Sequence, residues 1–376
     1  MPGVPDVGTA KQGASRAIEA VRRWRDETGD TTALRAARAV LGVLLLDAAL
    51  RAWRELSSGY FGDAFHWPIL PETLVASRSV YGAIVIAEVV FAAMAVLGLR
   101  ARQALLGSAL LGTYVLLCDR LQFHNNRWAL ACYSLLLSLT PCDRRDPREG
   151  PLWAARLAQV QVALIYVASG GSKLLDPDWR SGRVILERMV LYGHQAVAAG
   201  VPGALMDGLS QPGSAHALAT LAIATELLLS VALWPRRTRA FALWWGTCFH
   251  LTIEATSRVE SFTWLTLAMY ALFATPDVRA RQIVYDASRS SERLLARAIA
   301  QLDWLGRFAL KPRSAAASDA GLVVVGRDGT RASGLRAFAG IARCIPLLFP
   351  LWIPFAIVGS FAPSREEKQG GKEERR

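Results

Sequence analysis

Apolar positions along the chain gather in long blocks instead of following the alternating or amphipathic rhythm of a soluble domain. Eight blocks stand out, at residues 40–50, 80–97, 104–117, 128–139, 157–170, 217–234, 240–253 and 262–274. A helix that crosses a bilayer needs about 20 mostly apolar residues. Several blocks are shorter than that, so their polar flanks must be helical as well, or neighbouring helices must shield them. The links carry the polarity, and it is mostly arginine. Arg22, Arg23, Arg25, Arg35 and Arg38 precede the first block. Arg100 and Arg102 fill the second link, Arg144, Arg145 and Arg148 the fourth, and Arg236, Arg237 and Arg239 the sixth. A further dense set runs from Arg279 to Arg336. Basic residues flanking spans stay in the cytoplasm. Eight spans place all these clusters on one side, which predicts an all-α polytopic membrane protein with both termini inside.

The flanks follow a different pattern. Residues 1–33 hold no apolar run of signal-peptide type, and residues 15–27 read as a short basic amphipathic helix at the membrane surface. Residues 34–276 are the membrane domain. Residues 277–376 are expected to form a small, mostly helical cytoplasmic region. Within it, residues 282–309 read as a basic amphipathic stretch with Ile283, Leu295, Ile299, Leu302 and Leu305 on one face, lying against the anionic inner leaflet. A Ser/Ala linker (314–319), a β-like run (322–325) and an Arg327-Asp328-Gly329 turn signal follow. The apolar block at 341–361 carries Arg343 and a proline on nearly every turn, at Pro346, Pro350 and Pro354. Each proline removes a backbone donor and strains a helix, and a ninth span would move the basic 365–376 tail outside. The block is therefore not read as a span.

Composition sharpens the class. The chain has 376 residues, 52% of them hydrophobic and 20% charged, with a mean hydropathy of +0.25. That excludes a disordered chain and a secreted disulfide scaffold. The net charge of +12 does not indicate nucleic-acid binding, because no basic stripe is interleaved with aromatic residues. The five cysteines are scattered without a C-x-x-C pair, which suits buried small apolar residues better than a disulfide framework or a zinc site. The Arg and Ala bias suggests a high-GC bacterial source, and hence the bacterial cytoplasmic membrane. Lysine occurs only at positions 11, 173, 311, 368 and 372. Lys173 is thus the one lysine in a membrane domain that otherwise uses arginine. Arginine keeps its proton in proteins, whereas a desolvated lysine can lose it.

Ionisable groups inside hydrocarbon cost about 2.5–3.5 kcal/mol each. Asp47, Glu88 and Glu226 fall within blocks, where an interhelical hydrogen bond or an ion pair would satisfy them. Three further clusters fall at the extracytoplasmic ends of their spans in the eight-span arrangement. They are His124-Asn125-Asn126-Arg127, the run from Gly170 to Trp179 with Lys173, Asp176 and Asp178, and Phe249-His250. Polar groups collected on one face of a bundle suit a substrate pocket. Helix capping by His124 and aromatic-belt anchoring by Trp179 are the simpler alternatives. There is no zinc spacing, Walker motif or nucleophile elbow.

Two resemblances rest on these residues. The asparagine pair, the Gly-x-x-Lys…Asp-x-Asp-Trp block, the stretch from Glu226 to Arg236-Arg237-x-Arg239 and the Phe-His pair resemble the horizontally transferred transmembrane (HTTM) family, over about residues 33–276. That family shares its fold with the membrane part of the vitamin K-dependent gamma-carboxylase. The resemblance implies a quinone or hydroquinone cofactor in a pocket at the outer face. Lys173, His250 and His124 are then the candidate catalytic residues, and Asn125, Asn126, Asp176, Asp178, Trp179 and Glu226 the candidate substrate- or cofactor-binding ones, with no metal. The chain departs from the carboxylase at Leu174, where that enzyme has a second lysine, and at Arg127, where it has a histidine. Peptide-glutamate carboxylation is therefore not expected. A non-enzymatic role with a peptide or protein partner, in peptide maturation or export, is the alternative. Separately, residues 322–348 resemble the second half of a thiol-disulfide oxidoreductase-like domain. The thiol pair of that family lies in a first half that the chain is expected to lack, so no redox activity is implied.

Overall fold

The computed structural model describes residues 7–57, 67–146, 149–257, 261–273, 279–313 and 321–361. Arg148, the 314–319 linker and the 365–376 tail lie outside the described residues. The chain divides into two units, Met1–Ala274 and Thr275–Arg376.

The first unit is helical. In chain order it comprises α1 (Val7–Asp26), β1 (Thr28–Asp30), α2 (Thr32–Ser57), α3 (Arg78–Leu97), α4 (Ala101–Cys118), α5 (Asn125–Ser138), β2 (Glu149–Pro151), α6 (Trp153–Leu175), α7 (Pro177–Arg180), α8 (Arg183–Ala198), α9 (Gly203–Leu209), α10 (Pro212–Ala232), α11 (Arg236–Ser257) and α12 (Phe262–Tyr270). The eight apolar blocks lie respectively in α2, α3, α4, α5, α6, α10, α11 and α12, the last continuing into a 3-10 turn. Among the described residues, α3, α4 and α10 are long and apolar enough to cross a membrane. Helices α5 (14 residues) and α12 (9 residues) are shorter than a lone span requires. Helices α2, α6 and α11 have the length but carry more polar residues. The core runs through these helices and includes Leu41, Leu105, Leu137, Tyr166, Leu229, Leu265, Met269 and Phe273.

Helices α7 to α9 were not foreseen. Asp176 caps α7, its side chain accepting from Asp178 N, and Pro177 opens the helix. Met189, Ala196 and Met206 then make a small cluster of their own between α8 and α9. At the N-terminal end, β1 pairs antiparallel with β2, and Glu27 accepts from the Arg156 guanidinium at 2.6 and 3.0 Å. This ties the N-terminal segment to the start of α6.

The link arginines cap helix ends. Arg38 is buried, and its Nη1 donates to Ala95 O (2.6 Å) at the end of α3. Arg102 Nε donates to Ser138 O (3.2 Å) at the end of α5. Arg239 donates to Leu233 O (3.0 Å) and Trp234 O (2.6 Å) just beyond α10. A helix leaves its last four carbonyls unpaired and carries partial negative charge there. A guanidinium, with five donors in a planar fork, answers both needs better than an ammonium.

The second unit contains a four-stranded sheet. Its elements are β3 (Arg281–Tyr285), α13 (Ser290–Leu302), β4 (Phe308–Pro312), β5 (Val323–Val325), β6 (Arg331–Ser333), α14 (Gly334–Ala342) and α15 (Trp352–Phe361). The strand order is β4-β3-β5-β6. Strands β3 and β4 are parallel, and the other neighbours are antiparallel. The stretch 282–309 is therefore a strand, a helix and a strand, which corrects the reading of one continuous amphipathic element. Ile283 and Ile299 are in the unit's core, with Leu295 and Leu302 packed against it, so this apolar face covers the unit's own sheet. The valine run and its turn form β5 and the bend into β6, and they follow a complete β-α-β crossover. The block 341–361 breaks up as its prolines predict. Ile341 and Ile345 join the core, residues 346–351 form a 3-10 turn, and α15 has only 10 residues. At 1.5 Å per residue that is about 15 Å, half of a bilayer core.

Candidate functional site around Lys173

One face of α6 carries the site. Tyr166, Ser169, Gly170 and Lys173 recur at three- and four-residue steps, so they share a stripe of the helix. That stripe meets α10 at Glu226. A Cβ on Gly170 would stand 3.0 Å from the Leu227 side chain and 3.2 Å from Glu226 Cβ. The missing side chain at Gly170 is what lets α6 and α10 approach closely here.

Lys173 Nζ donates to Glu226 Oε1 at 2.5 Å and to Ser169 Oγ at 2.8 Å. It also lies 4.8 Å above the Trp179 ring, within cation–π range. The two side chains are 17% and 6% exposed. A buried ion pair survives only when its remaining hydrogen-bonding capacity is met. On the lysine side it is met. On the glutamate side Oε2 is buried and has no partner among the described residues.

A second polar chain runs alongside. Tyr166 Oη is 2.7 Å from His250 Nε2 and hydrogen-bonds to Tyr270 Oη. His250 is 1% exposed, its ring enclosed by Tyr166, Phe249, Phe262 and Tyr270. Its Nδ1 has no partner among the described residues. Gly246 on α11 makes the Tyr270 contact possible, because a Cβ there would collide with the Tyr270 hydroxyl. Tyr166 stands on the same stripe of α6 as Lys173, so the two polar chains run side by side.

The expected site residues therefore separate into groups. Lys173, Glu226 and Trp179 come together directly, and His250 belongs to the neighbouring chain through Tyr166. Asp176 caps α7, and Asp178, exposed, lies 3.6 Å from Arg183. His124 is the N-cap of α5, its Nδ1 accepting from Asn126 N at 3.4 Å. Asn125 is exposed and Asn126 buried beside it. The neighbouring Arg127 donates to Glu55 at 2.8 Å, joining α5 to α2. Of two acidic residues read as intramembrane, Asp47 pairs with Arg51 at 2.5 Å on its own helix, and Glu88 is half-buried in mid-α3. Leu174 is 48% exposed, so of the two adjacent positions it is Lys173 that faces the bundle. Sequence reasoning passed over Tyr166, Ser169 and Tyr270. Tyr166 and Ser169 were within reach, standing seven and four residues before Lys173 on its face. Tyr270 had no local signal, since only the tertiary fold brings α12 to α6.

Among the described residues, no group of three His, Cys, Asp or Glu side chains could hold a metal ion. A cavity of about 710 Å³ lies elsewhere, where Trp53 and Leu56 of α2 face Arg78 and Gly82 of α3, and no member of the Lys173 group lines it.

No curated protein and no solved structure matches the chain. The family model of the HTTM domain matches residues 27–278, well over half of the chain, and the apolar helices α3, α4 and α10 agree with a membrane protein. From Glu27, which anchors the first helices to α6, to the end of α12 and the few residues beyond it, this chain belongs to the HTTM family.

Proposed function

We propose that the chain is a multi-pass enzyme of the carboxylase-like type. It has eight spans with both termini in the cytoplasm, and it works on a quinol or a similar lipophilic cofactor at the outer face of the bacterial cytoplasmic membrane. Lys173 is its base. The observation that carries this reading is the setting of Lys173. The ammonium is largely withdrawn from solvent and held by Glu226, Ser169 and Trp179, in a domain that otherwise takes arginine for every cation. Arginine could serve every structural need here, but it could not present a free amine.

The residues fit a quinol headgroup. Such a group offers hydroxyl oxygens, and carbonyl oxygens once oxidised, and the site holds a carboxylate oxygen, Glu226 Oε2, and a ring nitrogen, His250 Nδ1, that have no partner among the described residues. Buried polar atoms without partners are costly and rare, and a polar ligand would relieve both. A quinol, when bound, supplies an ionisable hydroxyl and a pair of reducing electrons. Lys173, as its neutral amine, takes the hydroxyl proton, Trp179 and Ser169 hold the resulting ammonium in position, and the aromatic wall around His250 keeps water away. With leucine at 174, peptide-glutamate carboxylation is not part of this proposal.

The test is equilibrium binding of 2-methyl-1,4-naphthoquinol, kept reduced under argon, to the full chain in lipid nanodiscs. Saturable binding is expected in the wild type. Lys173→Ala should weaken it at least about tenfold, equivalent to about 1.4 kcal/mol, while the protein still folds. Equal binding by both proteins would contradict the proposal.

A further inference from the structure

We propose that Glu226 is the resting place of the proton that Lys173 removes, so that the Lys173–Glu226 pair, and not Lys173 alone, is the base. This rests on the reading of Lys173 given above and deepens it.

An ammonium already hydrogen-bonded to a carboxylate is no base. Lys173 Nζ donates directly to Glu226 Oε1, so a proton can pass along this hydrogen bond with no intervening group. Its transfer breaks one N–H bond, makes one O–H bond and leaves an amine beside a carboxylic acid. In a site that penalises isolated charge this neutral pair is a natural alternative to the ionic one. The freed amine then accepts the proton of an acidic hydroxyl. An N–H bond forms, the hydroxyl O–H bond breaks, and the hydroxyl oxygen keeps the electron pair. Summed over both steps, one proton has moved from the hydroxyl to Glu226. Lys173 ends as it began, an ammonium, now facing the new oxyanion. The site holds one cation and one anion before and after, and neither in the neutral pair between, so it never carries an uncompensated charge.

Among the described residues, the geometry suits this role for Glu226 and for no other neighbour. Asp176 and Asp178 are exposed, the first committed to capping α7 and the second beside Arg183. Ser169 Oγ accepts from Lys173 but is no acid of comparable strength. Tyr166 is engaged with His250 and Tyr270. Glu226 has the oxygen in place: Oε1 faces the lysine and takes the proton, while Oε2 is buried without a partner among the described residues. Gly170 holds α6 against α10 at this point and so fixes the Lys–Glu distance. Glu226 acts through Lys173 and is in this sense a positioning and proton-storing residue.

Infrared difference spectroscopy of the full chain in nanodiscs, with and without 2-methyl-1,4-naphthoquinol, tests this, with the ultraviolet absorption of the quinol followed in parallel. The expected result is ionised bound quinol together with a new carboxylic-acid carbonyl band. That band should be absent in Glu226→Gln, move in Glu226→Asp, and shift in the wild type grown on carbonyl-labelled glutamate. The labelled wild type keeps the test open if a variant fails to fold. Ionised quinol without the band, or with a band that persists in Glu226→Gln, overturns the role of Glu226 and leaves that of Lys173 standing. Quinol that stays neutral, or does not bind, overturns both.

Discussion

Lys173 Nζ and Glu226 Oε1, on two different helices, lie 2.5 Å apart where Gly170 lets those helices meet. An ion pair placed there is a poor device for stability alone, since taking two charges out of water costs several kcal/mol per ion before their attraction is counted. Removing one partner is worse. Lys173→Ala is expected to destabilise the protein by about 3 kcal/mol, because it strands the glutamate. The double variant Lys173→Ala/Glu226→Gln should recover part of that loss, giving a coupling of about 1–3 kcal/mol. Thermal unfolding in detergent across the four-protein cycle checks this, and strictly additive losses would show that the two residues do not form a unit.

Gly246 makes room for the Tyr270 hydroxyl, which hydrogen-bonds with that of Tyr166. Gly246→Ala should therefore displace Tyr270, break the Tyr270–Tyr166–His250 chain and cost about 1–3 kcal/mol by overpacking. Gly112, also within a helix, has nothing within 4 Å of an added Cβ. Gly112→Ala should be neutral or slightly stabilising, since alanine favours helix. Unfolding midpoints of the two variants, measured side by side, separate the site-specific effect from a general one.

Arg38 donates from the body of α2 to the last carbonyls of α3. Loss of a charged hydrogen bond of this kind costs about 1.5–3 kcal/mol, so Arg38→Ala should lower the unfolding midpoint. Arg38→Lys should rescue only part of it, because an ammonium lacks the planar fork. Full rescue by lysine would reduce the arginine to a plain positive charge.

That contrast explains what could be read from the sequence. The eight apolar blocks pointed to helices because burial in lipid or in a bundle leaves a compositional trace that is local to each segment. The arginine clusters were equally visible, but their reason was only half visible. Charge and side are written in the links, whereas the carbonyls that Arg38 and Arg239 cap belong to other turns and other helices. Lys173 could be singled out by its rarity and Glu226 by its cost, yet nothing in the local sequence said that they meet. The stretch 282–309 misled for a related reason. The apolar spacing of Leu295, Ile299 and Leu302 is that of a helix, and Ile283 fits the same face by chance, although it belongs to a strand. Whether such a face meets lipid or a sheet depends on partners far along the chain, here Phe308, Val324 and Ile341.

In the C-terminal unit, Asp286 accepts hydrogen bonds from Ser288 Oγ and N, and Asp328 from Thr330 Oγ1 and N. These bonds hold both carboxyls below the usual aspartate value of 3.8 in the folded chain. A lowered carboxyl contributes stability that is complete above the unfolded value and is lost as the pH falls through the folded one. Hydrogen exchange over residues 279–361 of the intact protein should accelerate beyond its intrinsic pH trend as the pH falls from about 5 to about 3. Asp286→Asn/Asp328→Asn should flatten that dependence.

The central claim is that position 173 needs an amine and not merely a positive charge. Lys173→Arg keeps the cation but cannot give up its proton at any accessible pH. Anaerobic ultraviolet titration of naphthoquinol into wild-type and Lys173→Arg protein, both in nanodiscs and both verified as folded, compares the two directly. The account predicts ionised bound quinol in the wild type and neutral or unbound quinol in Lys173→Arg. Ionisation to the same extent in both proteins would contradict it.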